Sequence, residues 1–220
     1  MRKLAYLGAA VAIGLVTAVA ASPASAASDA VLTSGDTGPN GGTNVAVGDT
    51  LTAGLASGTT TTFFDASGKG VTCTGAAFTA TVSTNPTVGS GDATESIGGL
   101  SFTGCTSNIS GVRSVKSITI DNLPYSGDVS DTAGTITITG SVHATIVLNL
   151  VIGTATCKYT GPTAGVVGSA VAASNSLDFT NQAFAKDTGS WSGCPGPENF
   201  TASFAPVIDT TVGGADVYVN

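Results

Sequence analysis

The sequence predicts an all-β protein built as an antiparallel β-sandwich, immunoglobulin-like or related. Apolar and polar residues alternate with a period of two along most of the chain after residue 44, which is the pattern of strands buried on one face. Clusters such as Asn40–Gly42 and Ser126–Asp128 separate these stretches and mark turns between strands. No amphipathic helix of useful length follows the N-terminal leader. Ten or more short strands favour a sandwich, with a closed barrel as the main structural alternative.

The N-terminus has the three-part layout of a secretory signal peptide. Arg2 and Lys3 form a positive start before the apolar run Leu4–Ala20. Small residues then follow up to Ala26, after which we expect a signal peptidase to cut. An uncleaved membrane anchor is the alternative, but the run is short and rich in alanine. We therefore expect a secreted, extracellular protein, free or associated with the cell surface, without a membrane span after cleavage.

Three segments follow from this layout. Residues 1–26 are the expected signal peptide, 27–44 a polar N-terminal segment, and 45–220 the β-sandwich domain. That domain is expected to consist either of one core or of two halves, 45–130 and 131–220. A chain of this length suits one domain or two small ones.

Strand candidates follow one another at short intervals through the predicted domain. Thr135–Thr139 alternates isoleucine with threonine, and its isoleucines are expected to face inward. The longest candidate is Val142–Ile152, whose even-numbered residues are all apolar. The other candidates are Asp49–Leu55, Thr59–Phe64, Phe78–Ser83, Ser96–Phe102, Ser117–Ile120, Ala155–Thr160, Val166–Val171, Ser176–Phe179, Asn199–Val207 and Ala215–Val219.

The acidic charge balance argues against nucleic acid as a partner. The full chain has 7 lysines and arginines against 14 aspartates and glutamates. Cleavage after Ala26 removes Arg2 and Lys3, leaving 5 basic against 14 acidic residues and a formal charge of −9. Nucleic-acid binding relies on basic residues that neutralise phosphates, and this chain has too few. Charged residues are only 10% of the chain, so uncharged polar residues must cover much of the surface.

Four cysteines predict two disulfide bonds in an exported chain. None lies in a Cys-x-x-Cys pair, and the chain has a single histidine, which argues against a zinc site. Thr-Cys and Leu-x-Phe-Thr runs occur in both halves with a period of roughly 80 residues, as in an internal duplication. If the duplication is real, the bonds join Cys73 to Cys105 and Cys157 to Cys194.

The sequence predicts no catalytic residue. His143, the only histidine, is a candidate general base, but no Gly-x-Ser-x-Gly turn or comparable nucleophile motif accompanies it. We expect it to be an ordinary strand residue. Paired carboxylates can hydrolyse glycosides, but the aromatic platforms that usually hold sugars are scarce here. The carboxylates available for such a pair are Glu95, Glu198, Asp36, Asp49, Asp65, Asp92, Asp128, Asp131 and Asp187.

Two further candidates for ligand binding are a cluster of three aspartates and Trp191. Asp121, Asp128 and Asp131 are close in sequence, and calcium takes oxygen ligands from such loops. Their spacing matches no EF-hand, and aspartate is common in solvated turns, so we predict no metal and no cofactor. Trp191 lies in a Gly/Ser loop beside Cys194. Its ring either contacts a ligand or folds back over the disulfide, and both alternatives stay open.

A set of short motifs resembles small secreted four-cysteine proteins of actinobacteria, Streptomyces-like in type. The motifs are Leu-x-Phe-x-x-Cys ending at Cys105, Asn122–Tyr125, Thr156–Tyr159, Pro206–Thr211 and Val217–Asn220. The resemblance implies export from a Gram-positive cell and brings no activity and no functional residues. The composition is also similar to that of enediyne chromoprotein apoproteins, which are secreted, acidic, immunoglobulin-like sandwiches with two disulfides. The cysteines do not align with theirs.

These observations favour a secreted, non-catalytic protein that binds a partner or associates with a surface. The partner would be an extracellular protein, a cell-wall polymer or a small molecule. A small-molecule carrier of the chromoprotein type is the first alternative. A hydrolase that uses carboxylates or His143 is the second.

Overall fold

The computed structural model describes residues 29–35 and 42–220, and the predicted signal peptide lies outside them. The described residues are all-β apart from a 3₁₀ turn at Ala172–Ser174, and the strand pairs are antiparallel, which confirms the predicted class. The strands are β1 Leu32–Ser34, β2 Thr43–Asn44, β3 Thr50–Gly54, β4 Thr61–Phe64, β5 Gly70–Thr84, β6 Ala93–Ser107, β7 Val112–Asp121, β8 Tyr125–Ser130, β9 Thr135–Ile138, β10 His143–Leu150, β11 Thr154–Thr160, β12 Val166–Val171, β13 Ser176–Lys186, β14 Glu198–Phe204, β15 Ile208–Asp209 and β16 Ala215–Val219.

Eight of these strands close into a ring, so the centre of the molecule is an antiparallel barrel. The order around the ring is β4, β5, β6, β8, β9, β12, β13 and β14, and β14 pairs back with β4. Four of the ring strands lie within residues 61–130 and four within residues 135–204. Strands from both halves of the chain therefore build one wall around one core.

The closed ring replaces the predicted sandwich, and irregularities at glycines explain the difference. β5 and β6 are each 15 residues long, and their register shifts between Thr79 and Ala80, opposite Gly98. Gly104 has a φ of +60°, a left-handed conformation that favours glycine. Such bulges bend and twist strands, so one end of β5 pairs with β4 and the other with β3. A period of two in the sequence predicts strands but does not reveal these bends.

Two groups of strands extend the ring. β3, β15, β16, β1 and β2 continue from β5, whereas β11, β10 and β7 continue from β13. The predicted polar N-terminal segment supplies β1, whose buried Leu32 pairs with Val219 near the C-terminus. The second group covers one end of the ring, because Ile120 and Val142 line a cavity there together with Phe184.

The alternation of the sequence determines which side chains face the core. Ile136 is only 2% exposed and faces inward, as its Ile/Thr alternation predicts, and Ile146 and Leu148 do the same on β10. One predicted turn, however, is a strand. Ser126–Asp128 lies within β8, where Gly127 is buried and pairs with Glu95 on one side and Ile138 on the other.

Two disulfide bonds join Cys73 to Cys105 and Cys157 to Cys194, the pairs that the duplication favours. The first links directly paired residues of β5 and β6, whereas the second ties β11 to the loop before β14. Disulfides persist in oxidising compartments, so they suit an extracellular setting. Within residues 29–35 and 42–220, no helix is long and apolar enough to cross a membrane.

Removing the second disulfide is expected to lower the free energy of unfolding by about 3–4 kcal/mol, because its closed loop restricts the unfolded chain. The bond spans 37 residues. Urea denaturation of the Cys157→Ser, Cys194→Ser double variant measures the change. Ser192→Ala, at an exposed position in the same loop, is the matched control with little expected effect. A double variant as stable as this control would contradict the prediction.

Candidate binding site in the barrel lumen

Three adjoining cavities occupy the ring and its ends, and the first is also lined by residues of β1, β3 and β16. The first and second share three lining residues, and the second and third share three others, so the cavities follow one another through the lumen. The second has about 420 Å³ of space between its atoms, counting the part that opens to solvent. The shared residues are Phe78, Glu95 and Leu177 at the first junction and Leu100, Ile138 and Phe200 at the second.

Phenylalanine side chains dominate the lumen. Seven of the 8 phenylalanines line the second or third cavity, and Phe64, on the outer side of β4, is the exception. Phe200 lies near the centre of the cluster, with its ring centroid 5.1 Å from that of Phe63. Phe78 and Phe204 meet edge to face at 5.5 Å, a favourable geometry for aromatic rings. The lining residues are Phe63, Phe78, Phe102, Phe179, Phe184, Phe200 and Phe204.

Glu95 places a carboxyl group in this apolar interior. It lies on β6 between Val82 of β5 and Gly127 of β8, and its side chain is 5% exposed. The alternation of β6 turns Ala93, Glu95 and Ile97 inward together. At Gly127 an added Cβ would come within 3.1 Å of the Ile97 side chain, so the wall of the ring is closely packed there. Glu95 makes no hydrogen bond or ion pair with the described residues, although its oxygens are not among the fully enclosed side-chain atoms without a partner, which belong to Thr61, Glu198 and Asp209.

Burial determines the protonation of Glu95. Removal from water raises the pKa of its carboxyl group to about 7, because a charge is costly in an apolar environment without compensation. No charged neighbour contributes to this shift. Near neutral pH the group can therefore exist in either form, and a donor that enters the lumen would find an unoccupied acceptor.

Glu198, the second glutamate, is buried at a different place. It lies at the start of β14 and lines none of the three cavities. Its Oε1 accepts a hydrogen bond of 3.1 Å from the Tyr159 hydroxyl, and its Oε2 has no partner among the described residues. Burial raises the pKa of Glu198 to about 8, although the Tyr159 hydrogen bond acts in the opposite direction. Burial, followed by the charge of Glu198, also raises the pKa of Tyr159.

His143 is a half-buried residue of β10 with a hydrogen-bonded ring. Its Nδ1 lies 3.1 Å from the Thr160 hydroxyl, and that hydroxyl donates to Asp187 at 2.7 Å. Its backbone N–H donates to the Tyr125 hydroxyl at 3.1 Å. The contacts of His143 thus tie strands together, and the hydroxyl beside its ring donates its proton to Asp187 rather than to the imidazole.

Other carboxylates from the sequence analysis stabilise turns. Asp49 accepts a hydrogen bond from the Ala46 amide. Asp65 accepts bonds from Ser67 and Lys69, and these bonds, that of the Ser67 side chain first, lower its pKa. Asp92 is exposed, and Asp36 lies outside the described residues. These local roles are the usual reason for aspartate in turns.

The candidate calcium cluster is dispersed. Asp121 accepts a hydrogen bond from the Thr145 hydroxyl, whereas Asp131 accepts one from the Gly89 amide. Asp128 lies on the outer face of β8, between the buried Gly127 and Val129. The described part of the chain contains no group of three or more histidine, cysteine, aspartate or glutamate side chains that could hold a metal ion.

Trp191 lies half-buried in the loop between β13 and β14. Its backbone N–H donates to the Thr156 carbonyl at 3.0 Å, which holds the loop against β11. The indole ring packs against the core cluster and lies over Gly193, where an added Cβ would meet the ring at 2.4 Å. Trp191 lines none of the three lumenal cavities.

From the sequence, Glu95 is a candidate only as one carboxylate of a glycosidase pair. The available signal was its spacing, because Glu95 shares a strand face with the apolar Ala93 and Ile97 and the chain has only two glutamates. The structure does not bring the two glutamates into one site, since only Glu95 lines the lumen. No protein-family model, no curated protein and no solved structure matches this chain. The lumen around Glu95 is the candidate functional site on its own geometry.

Proposed function

We propose that this chain is a secreted, non-catalytic binding protein that holds a small apolar molecule in its barrel lumen. The observation that carries the proposal is the second cavity, where nine of ten lining residues are apolar and the tenth is Glu95. Small-molecule sites are typically apolar concave spaces with a few polar groups that orient the ligand. This is the carrier alternative of the sequence analysis, now with a named site.

Access from solvent supports the proposal. The first cavity is lined by Val171, Ala172 and Val219, and Val171 is 37% exposed. Val171 directly precedes the short 3₁₀ turn before β13, and Ala172 is the first residue of that turn. A ligand that passes this turn would reach Glu95 first and the phenylalanine cluster behind it.

Export fits the same function. The N-terminal leader has the layout of a signal peptide, and both disulfide bonds suit an oxidising environment. The Cys73–Cys105 bond cross-links two neighbouring strands of the ring. The acidic, weakly charged surface favours solubility outside the cell.

Surface association is a second candidate function, carried by the hairpin that joins β10 and β11. Val151 and Ile152 at its tip are 62% and 89% exposed, and exposed apolar residues often mark interaction sites. Sedimentation with purified cell walls tests this candidate. An Ile152→Ser variant that sediments as well as the unaltered protein would remove it.

The lumenal site is tested by titration with ethylbenzene, a neutral apolar probe, followed by amide chemical shifts. We expect saturable binding whose shifts are concentrated on Phe78, Leu177 and Phe200. Ile138→Phe fills the junction of the second and third cavities and is expected to weaken binding at least tenfold, roughly 1.4 kcal/mol. Leu177→Phe is a second variant that fills the lumen, at the junction of the first and second cavities.

The matched control is Val167→Phe, which adds the same ring on the outer face of β12, where Val167 is 44% exposed. This variant should bind ethylbenzene as the unaltered chain does. The proposed function would be overturned if the unaltered chain showed no saturable binding, or if both filling variants bound ethylbenzene as tightly as the unaltered chain.

A further inference from the structure

Glu95 lines both the first and the second cavity, and the surface that it contributes to the second is apolar. Among the ten residues around the second cavity it has the only polar side chain. The first cavity adds Asn175 and Ser176, but both have partners. Asn175 is bonded to the backbone of Val207, and the Ser176 hydroxyl donates to Asp178. Glu95 is therefore the one lumenal polar group whose hydrogen-bonding capacity is unused.

The surroundings of Glu95 contain no cation. No lysine, arginine or histidine lines the three described cavities. The residues paired with Glu95 on the neighbouring strands, Val82 and Gly127, carry no charge. Asp128 and Asp178 lie on the outer faces of β8 and β13. Asp178 is engaged there by the Ser203 and Ser176 hydroxyls. A positive charge that would compensate an ionised Glu95 must come from elsewhere.

Building on the lumenal site proposed above, we infer that the ligand is an apolar amine whose protonated amino group pairs with Glu95. Its aromatic or aliphatic body would occupy the second cavity. A buried charge left without a partner is strongly unfavourable, so a cation that pairs with the ionised carboxyl group removes that penalty, and the charge-assisted hydrogen bond between them is stronger than a neutral one. The rings of Phe78 and Phe179, which line the same cavity, add favourable contacts for a cation near an aromatic face.

The pairing makes binding depend on pH. The ammonium group binds the ionised carboxyl group. At any pH at which Glu95 is protonated in the empty site, binding therefore requires that Glu95 first release its proton. Affinity should therefore fall as the pH drops below about 7, the pKa to which burial raises this group. By linkage, binding at pH 5 is expected to be at least tenfold weaker than at pH 8.

The test compares 2-phenylethylamine with ethylbenzene, which have similar apolar bodies and differ in the amino group. We expect the amine to bind the unaltered chain at least tenfold more tightly than ethylbenzene at pH 8. Glu95→Gln should remove this preference for the amine over ethylbenzene, together with its pH dependence. Asp128→Asn, on the outer face of the adjacent strand, is the control that should change neither.

The outcomes separate the two proposals. If ethylbenzene binds but the amine gains nothing, or if Glu95→Gln keeps the preference, the amine inference is wrong and the lumenal site stands. If neither probe binds the unaltered chain, the lumenal site itself is wrong and the inference falls with it. A thermal denaturation curve for each variant confirms that the compared proteins are folded at both pH values.

Discussion

Replacing Phe200 by alanine is expected to lower the free energy of unfolding by about 3–5 kcal/mol, the usual loss for a large core aromatic. Phe200 is 7% exposed and lines both the second and the third cavity. Its ring lies 5.1 Å from that of Phe63, 6.1 Å from Phe179 and 6.3 Å from Phe184. The substitution removes these contacts from strands that come from both halves of the chain. Urea denaturation at pH 7 measures the loss.

The control for this prediction is Phe64→Ala, because Phe64 lies on the outer side of the strand that carries Phe63. Phe64 is only half-buried, so we expect a loss below about 2 kcal/mol. Equal losses for the two variants would mean that the lumen is not the core of the molecule. The larger lumen of Phe200→Ala should also accept bulkier apolar probes than the unaltered protein.

Stability is expected to decrease as the pH rises from 4.5 to 8, with Glu95 responsible for roughly 3 kcal/mol of the change. The pKa of Glu95 is about 7 in the folded state and 4.5 in the reference state. The folded protein therefore holds a proton over a range in which the unfolded chain has released it. The stability that this proton gives is fully present below pH 4.5 and is lost as the pH passes 7. Glu198, with a pKa of about 8, acts in the same direction.

Glu95→Gln isolates the contribution of Glu95, since glutamine stays neutral and has nearly the same shape. We expect the variant to be more stable than the unaltered protein at pH 8 and similar to it at pH 4.5. Urea denaturation at the two pH values gives the difference, and Asp128→Asn, on the outer face of β8, serves as the control. A stability difference between Glu95→Gln and the unaltered protein that is the same at both pH values would refute the burial of an ionisable group at this site.

Much of the strand content follows from the alternation of the sequence. Val166–Val171 and Ala215–Val219 are strands with the predicted bounds, because each buries one face against the core. Other strands were not predicted in full because they contain glycines, which are typical of turns. Ser126–Asp128 has the composition of a turn, yet Gly127 is buried in β8, where an added Cβ would approach the Ile97 side chain to 3.1 Å. Similarly, the ends of β5 and β6 extend past the predicted bounds through Gly70, Gly75 and Gly104.

The lumenal site was harder to predict from the sequence than the strands. Its lining residues run from Leu32 to Val219, so the site exists only after the ring closes and strands distant in the chain become neighbours. Ring closure depends on bulges, such as the one at Gly98, which interrupt the period of two without a distinct sequence signal. Glu95 is an ordinary strand residue by pattern alone. Its chemical importance comes from the phenylalanines of other strands that surround it.

The most direct test of a ligand-binding lumen is native mass spectrometry of the protein isolated from the medium of its native host. The expected mass is that of the chain cleaved after Ala26, less four hydrogens for the two disulfide bonds, plus a small molecule that leaves on denaturation. The Ile138→Phe variant from the same host should lack the adduct, whereas Val167→Phe should keep it. The bare oxidised chain, or an adduct retained equally by both variants, would contradict a ligand held in the lumen.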